Sequence, residues 1–138
     1  MPKVQLAVRD LRVTYVTEDE TVHAVNGLDL DLIQGESLGL VGETGAGKTT
    51  TALALMGLLP KPTGRVTSGS ISFDGTEIVG AEETELQKIR GNQISMIFQD
   101  PMTALNPIFT IGDQIAEVIE IHNKVGKGES EKRAGDML

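Results

Sequence analysis

The sequence contains no cysteine among its 138 residues. Disulfide bonds and zinc or iron–sulfur sites with cysteine ligands are therefore excluded within the chain, and a reducing compartment is compatible with it. The sequence also lacks an apolar run of membrane-spanning length, and no long apolar stretch follows Lys3. We therefore expect neither a transmembrane helix nor a secretory signal.

Basic residues are scarce, since 12 Lys and Arg stand against 20 Asp and Glu and give a net charge of −8. An anion must therefore be held by a local group of residues rather than by the overall field, which argues against a nucleic-acid binder. With 39% hydrophobic residues, the chain has apolar material for one ordinary domain core. It has no room for a second full domain.

The spacing of apolar residues predicts the secondary structure. Alternation of apolar and polar residues over 4–33 predicts an antiparallel β region, interrupted by the polar residues 17–20. The short apolar runs 37–41 and 94–98 predict strands buried on both faces. The tail from Asn123 is polar, contains glycine and ends without a convincing cap. Further elements are predicted as a strand at 70–73, a turn at 74–75, and helices at 50–56, 82–90 and 111–121.

A phosphate-binding motif directly follows the first apolar run. Residues 42–49 read Gly-Glu-Thr-Gly-Ala-Gly-Lys-Thr and satisfy G-x-x-x-x-G-K-[ST]. Glycines let backbone N–H groups turn toward phosphate oxygens, and the following helix presents its N-terminal N–H groups to the same anion. Lys48 adds a cation for the β- and γ-phosphates, and the Thr49 hydroxyl can ligate Mg²⁺. The motif predicts nucleotide binding; the alternative is a glycine-rich turn with a chance Lys-Thr behind it.

The residues around this motif resemble those of one family. Segments 22–28 and 35–49 resemble the opening of the nucleotide-binding domains of ABC transporters, and 94–101 resembles their Q-loop. The likeness runs from Leu6 to about His122, and 99–107 is most similar to subunits that power dipeptide, oligopeptide and nickel uptake. It implies an α/β P-loop NTPase fold of the ABC type, incomplete here, with an antiparallel β subdomain and the first part of a RecA-like core.

The resemblance also implies how the chain is divided. The antiparallel β region occupies 1–36, and the strand, phosphate loop and helix occupy 37–59. A β/helix segment leading to the Q-loop strand follows at 60–98, and the Q-loop with the start of a helical subdomain at 99–138. The family's signature, Walker B and switch histidine have no counterpart here. We therefore expect the N-terminal part of one domain, in which the strand at 37–41 keeps an open edge.

The resemblance further implies ATP and Mg²⁺ as cofactors. Tyr15 matches the aromatic residue that stacks on adenine; the alternative is a hairpin residue covering the sheet. Gln99 matches the Q-loop glutamine, which reaches Mg²⁺ or the attacking water; the alternative is a solvated strand end. Lys48 and Gln99 are thus the candidate catalytic residues, and Thr49 and Gln99 the candidate Mg²⁺ ligands. The candidate nucleotide contacts are Tyr15, Gly42, Glu43, Thr44, Gly45, Ala46, Gly47, Lys48, Thr49 and Thr50.

The function that the resemblance implies is an ATPase coupled to uptake of peptides or a related solute. Its implied partners are transmembrane permease subunits and a second ATP-binding subunit, at the cytoplasmic face of the cell membrane. Two alternatives stay open: a nucleotide-binding chain without turnover, and another P-loop enzyme such as a small-molecule kinase. A kinase needs an arginine-rich lid, yet only Arg65 and Arg90 lie between the phosphate loop and the Q-loop.

Overall fold

The structure is a computed structural model that describes residues 3–100 and 104–138. It divides into two compact units, Met1–Leu86 and Gln87–Leu138. Across the described residues, no helix combines the length and the apolar character needed to cross a bilayer.

An antiparallel sheet of four strands forms the body of the first unit. Its strands are β1 (Val4–Val16), β2 (Thr21–Ile33), β3 (Gly64–Phe73) and β4 (Thr76–Glu77), in the order β2-β1-β3-β4. β1 pairs with both long strands, so its alternating apolar side chains are the best buried. Val8, Leu11 and Val13 are fully inaccessible, as is Ile71 on β3. The antiparallel β region predicted from residue alternation is confirmed.

Tight turns join the paired strands. In the β1–β2 turn the backbone N–H of Thr17 donates to the Glu20 carbonyl over 2.9 Å, and the Thr17 hydroxyl accepts from the Glu20 N–H over 3.2 Å. In the β3–β4 turn both central residues are left-handed, with φ of 46° at Asp74 and 82° at Gly75. That backbone suits the twist of a two-residue hairpin and favours the Asp-Gly pair, so the turn predicted at 74–75 is confirmed.

Two helices complete the described elements of the first unit. Helix α1 (Lys48–Leu55) directly follows the phosphate loop, with Thr51 and Ala54 buried. The Thr51 hydroxyl donates to the Gly47 carbonyl over 2.9 Å and links the helix to the loop. Helix α2 (Glu83–Ile89) spans the boundary between the two units. Both helices were predicted, each with bounds that differ by a few residues.

The prediction of buried strands at 37–41 and 94–98 is wrong. Residues 37–41 and 95–98 have no regular secondary structure, and Ile94 makes only an isolated bridge with Arg90. Most of their apolar side chains are exposed, to 94% at Val41 and 97% at Ile97. A buried strand needs a neighbouring strand to satisfy its backbone groups. Within the described residues the sheet pairs with neither segment, so the open edge expected at 37–41 is an irregular, exposed segment.

The second unit contains a helical hairpin. Helix α3 (Ile111–Asn123) begins at Thr110, whose hydroxyl accepts from the Asp113 N–H over 3.1 Å. Helix α4 (Lys127–Met137) was not predicted. It buries the small residues Ser130 and Ala134, and Ala134 joins Ala116 and Ile119 of α3 in one apolar cluster. Because this face lacks large apolar residues, the periodicity of the sequence does not reveal it.

We predict that Leu11→Ala lowers the free energy of unfolding of the first unit by ~2–5 kcal/mol, because it leaves a cavity at a fully buried position of β1. Leu38→Ala is the matched control, since Leu38 is 50% exposed in the irregular segment, and it should change that free energy by ~0.5 kcal/mol or less. Urea unfolding followed by circular dichroism measures both. Equal losses in the two variants would contradict the assigned core.

Candidate nucleotide site

The phosphate loop depends on two glycines in the left-handed backbone region. Gly45 has φ 83° and Gly47 has φ 82°. An added Cβ at Gly45 would meet no atom within 4 Å, whereas one at Gly47 would run into the carbonyl oxygen of Ala24 on β2. Gly47 is therefore required for its backbone angle and for its close approach to the sheet. That approach fixes where α1 starts.

Lys48 places its ammonium over the loop. It is the first residue of α1 and is half-buried. Its Nζ donates to the carbonyl oxygens of Gly42 and Glu43, each over 2.6 Å. An ammonium group has three N–H donors, so these two contacts orient the third for a ligand. The side chain is thus held by its own loop in a position that an anion can share.

The N-terminus of α1 supplies the remaining attraction for an anion. No acidic side chain occupies its first turn, so the positive end of the helix dipole is not neutralised there. Thr49 is exposed in this turn, and a hydroxyl at this point suits Mg²⁺, which takes oxygen ligands from protein, phosphates and water. Over the described residues, no cluster of three His, Asp or Glu could hold a metal by itself. Thr49 therefore suits a Mg²⁺ ion that is already coordinated by the phosphates of a nucleotide.

An open pocket of ≈ 290 Å³ adjoins the loop. Its lining includes Ala24 and Val25 of β2, Ala46 of the loop, and Lys48 and Thr51 of α1. The lysine side chain is consequently reachable from solvent rather than sealed between the sheet and the helix.

Tyr15 lies at the end of β1, close to the first turn of α1. Its hydroxyl donates to the Thr50 Oγ1 over 3.4 Å, and its half-buried ring lies beside Gly64 of β3. The fold thus brings together an aromatic side chain and a phosphate loop that are well separated in the sequence. Its predicted role in stacking on adenine stays a prediction.

Gln99 belongs to the second unit and is exposed in a bend that follows the irregular segment 95–98. Residues 101–103 of the predicted Q-loop lie outside the described residues. The predicted roles of Gln99 in catalysis and in Mg²⁺ binding stay predictions.

Comparison with known proteins decides the family. The family model described as ABC transporter matches residues 25–138. The chain belongs to the ABC transporter family. The fold agrees, because the dimeric ATP-binding cassette MJ0796 bound to ADP and Pi superposes with a TM-score of 0.80, covering 95% of this chain and 54% of that one at 23% identity. An α/β P-loop fold of the ABC type, present in part, is thereby confirmed.

Relatives within the ABC transporter family are named for peptide transport. The oligopeptide transport ATP-binding protein OppD of Escherichia coli (strain K12) is 52% identical over 133 residues, covering 96% of this chain and 39% of the relative. The dipeptide transport ATP-binding protein DppD of Bacillus subtilis (strain 168) is 46% identical over 138 residues, covering 100% of this chain and 41% of the relative. The chain spans about two fifths of the length of these relatives.

Sequence reasoning missed two contributors to this ABC-type site. Ala24 meets Gly47 through its backbone carbonyl, which no side-chain pattern reveals because the contact depends on how β2 passes the loop. Gly64 lies against the Tyr15 ring. In the sequence it stands close to Pro60 and Pro62, and this pattern indicates only the end of a helix.

We predict that Gly47→Ala destabilises the first unit more than Gly45→Ala does. Both substitutions force alanine into the left-handed region, which costs ~1–2 kcal/mol, but only Gly47→Ala adds a Cβ in the way of the Ala24 carbonyl. Thermal unfolding without nucleotide measures the difference. Equal losses would show that the approach of the loop to β2 does not fix its position.

Proposed function

We propose that this chain binds Mg-ATP through its phosphate loop, as the nucleotide-binding part of an ATPase subunit that powers uptake of peptides or a related solute. One observation carries the proposal. The Lys48 ammonium is oriented by two carbonyls of its own loop at the N-terminus of α1, beside two left-handed glycines. The names of the relatives support ATP as the nucleotide and peptides as the cargo.

The binding chemistry is divided between backbone and side chains. Loop N–H groups and the start of α1 contact the phosphate oxygens, and the third N–H of Lys48 donates to the β- and γ-phosphates. Thr49 would ligate Mg²⁺, and the bound ion would neutralise phosphate charge. Tyr15 stacks on adenine from the end of β1. These groups together hold a triphosphate on a chain whose net charge is −8.

The second unit supplies the candidate contact with a membrane partner. Exposed apolar side chains follow Gln99 in sequence, with Leu105 exposed to 46%, Ile108 to 84% and Phe109 to 58%. We propose that Gln99 and the loop 100–107 contact transmembrane permease subunits on the cytoplasmic face of the membrane. A second ATP-binding subunit completes the assembly, in keeping with the dimeric cassette of similar fold.

Nucleotide binding without turnover is the second candidate for this chain taken by itself. The sequence carries no signature motif, and no Asp-Glu pair stands directly at the end of an apolar strand. The phosphate loop is therefore present without the sequence motifs that would orient the attacking water.

We predict that Lys48→Ala reduces the affinity for a fluorescent ATP analogue at least ~tenfold, because a hydrogen bond to a charged group contributes ~1.5–3 kcal/mol. Lys132→Ala is the matched control, since Lys132 is exposed on α4, and its affinity should equal that of the unmodified chain. Equal affinity in the Lys48 variant would remove the phosphate loop from the binding site.

We also predict that the chain binds Mg-ATP but releases phosphate little faster than water does. Assistance by a general base is worth ~10²–10⁴-fold, and the transition-state stabilisation that a partner's signature would add is missing as well. Phosphate release should be compared between the chain and Lys48→Ala under saturating ATP. Sustained turnover that disappears in Lys48→Ala would show that a catalytic carboxylate is already present.

A further inference from the structure

Gly64 occupies a crowded position opposite Tyr15. It is the first residue of β3, is buried, and pairs with Tyr15 across the sheet. A Cβ added at Gly64 would lie 2.8 Å from Cε1 and 3.1 Å from Cδ1 of the Tyr15 ring, and 3.1 Å from the carbonyl oxygen of Pro60. The shortest of these distances is closer than real Cβ contacts come. With the ring in this position, only glycine therefore fits beside it.

Space rather than backbone angle imposes this requirement. Gly64 is absent from the glycines with positive φ, so its backbone would accept other residues. That backbone is fixed, since the Gly64 N–H donates to the Pro60 carbonyl over 2.7 Å and the Val16 N–H donates to the Thr63 carbonyl over 2.9 Å. An added Cβ would consequently have to displace the Tyr15 ring.

The hydroxyl of the same ring contacts the helix that follows the phosphate loop. The Tyr15 hydroxyl donates to the Thr50 Oγ1 over 3.4 Å, in the first turn of α1. The ring is thus placed between the backbone of β3 on one side and the helix that begins at Lys48 on the other. A shift away from Gly64 changes its position relative to the phosphate loop.

We propose that Gly64 is a positioning residue for the adenine site. Its missing side chain lets the Tyr15 ring lie against β3 and so sets where the base stacks relative to the phosphates. This inference rests on the proposed function, because it takes the Tyr15 ring as the surface that contacts adenine.

The test is Gly64→Ala, assayed with ATP and with inorganic tripolyphosphate as separate ligands. A displaced ring should weaken ATP binding by about three- to tenfold, the range of a partly lost aromatic contact. Tripolyphosphate affinity should stay within about twofold, because the phosphate loop does not depend on the ring. Gly135→Ala is the control, since a Cβ there meets no atom within 4 Å. A folded Gly64→Ala variant that binds both ligands more weakly by the same factor would contradict the inference.

A spectroscopic readout follows the ring directly. The chain has one tyrosine and no tryptophan, so its tyrosine fluorescence comes from Tyr15 alone. In Gly64→Ala, acrylamide should quench this fluorescence more strongly than in the unmodified chain, because the ring moves toward solvent. Unchanged quenching would contradict the inference.

A double-mutant comparison separates this inference from the proposed function. If Gly64 acts through the ring, Gly64→Ala should have no further effect on ATP affinity in a Tyr15→Ala background. A persistent effect there would overturn the role of Gly64 alone. Unchanged ATP affinity in Tyr15→Ala by itself would instead overturn the proposed adenine contact.

The double variant also covers a failure of Gly64→Ala to fold. Of the three atoms nearest to the added Cβ, removal of the ring leaves the Pro60 carbonyl oxygen. Restored folding in the double variant would support the inference. A double variant that stays unfolded would contradict it, because the backbone near Pro60 would then impose the requirement for glycine.

Discussion

The close approach of Gly47 to the Ala24 carbonyl is the constraint on which the site depends. It fixes the end of the phosphate loop against β2 and thereby sets the residue at which α1 begins. From that point the Lys48 side chain reaches back to the Gly42 and Glu43 carbonyls. The Thr51 hydroxyl closes the same turn onto the Gly47 carbonyl. A loop rich in glycine thus keeps one shape through contacts with its own helix and with a strand earlier in the chain.

The antiparallel sheet brings the second part of the site into place. β1 is paired on both sides, so its end carries Tyr15 to a fixed point beside α1. The hydroxyl contact with Thr50 and the absence of a side chain at Gly64 determine how the ring lies there. The Tyr15 ring and the phosphate loop therefore belong to one unit, whose core includes Leu11 and Ile71.

Local signals in the sequence predicted the hairpins, α1, α2 and α3, because alternation, an Asp-Gly turn and helical spacing each act over a few residues. The predictions of buried strands at 37–41 and 94–98 are wrong, because an apolar run forms a strand only where another strand can pair with its backbone. Helix α4 was not predicted, because its buried residues are the small Ser130 and Ala134. The motif alone predicted the phosphate loop. The contributions of Ala24 and Gly64 could not be predicted, because they depend on how distant strands pair.

An amide NMR titration of the isotope-labelled chain with Mg-ATP measures phosphate binding by the loop directly. A phosphate held by loop N–H groups should move the amide resonances of Gly45, Gly47, Lys48 and Thr49 by the largest amounts. Adenosine, which lacks phosphates, should leave those four nearly unchanged. Large shifts elsewhere with none in the loop, or equal loop shifts with adenosine, would contradict the account.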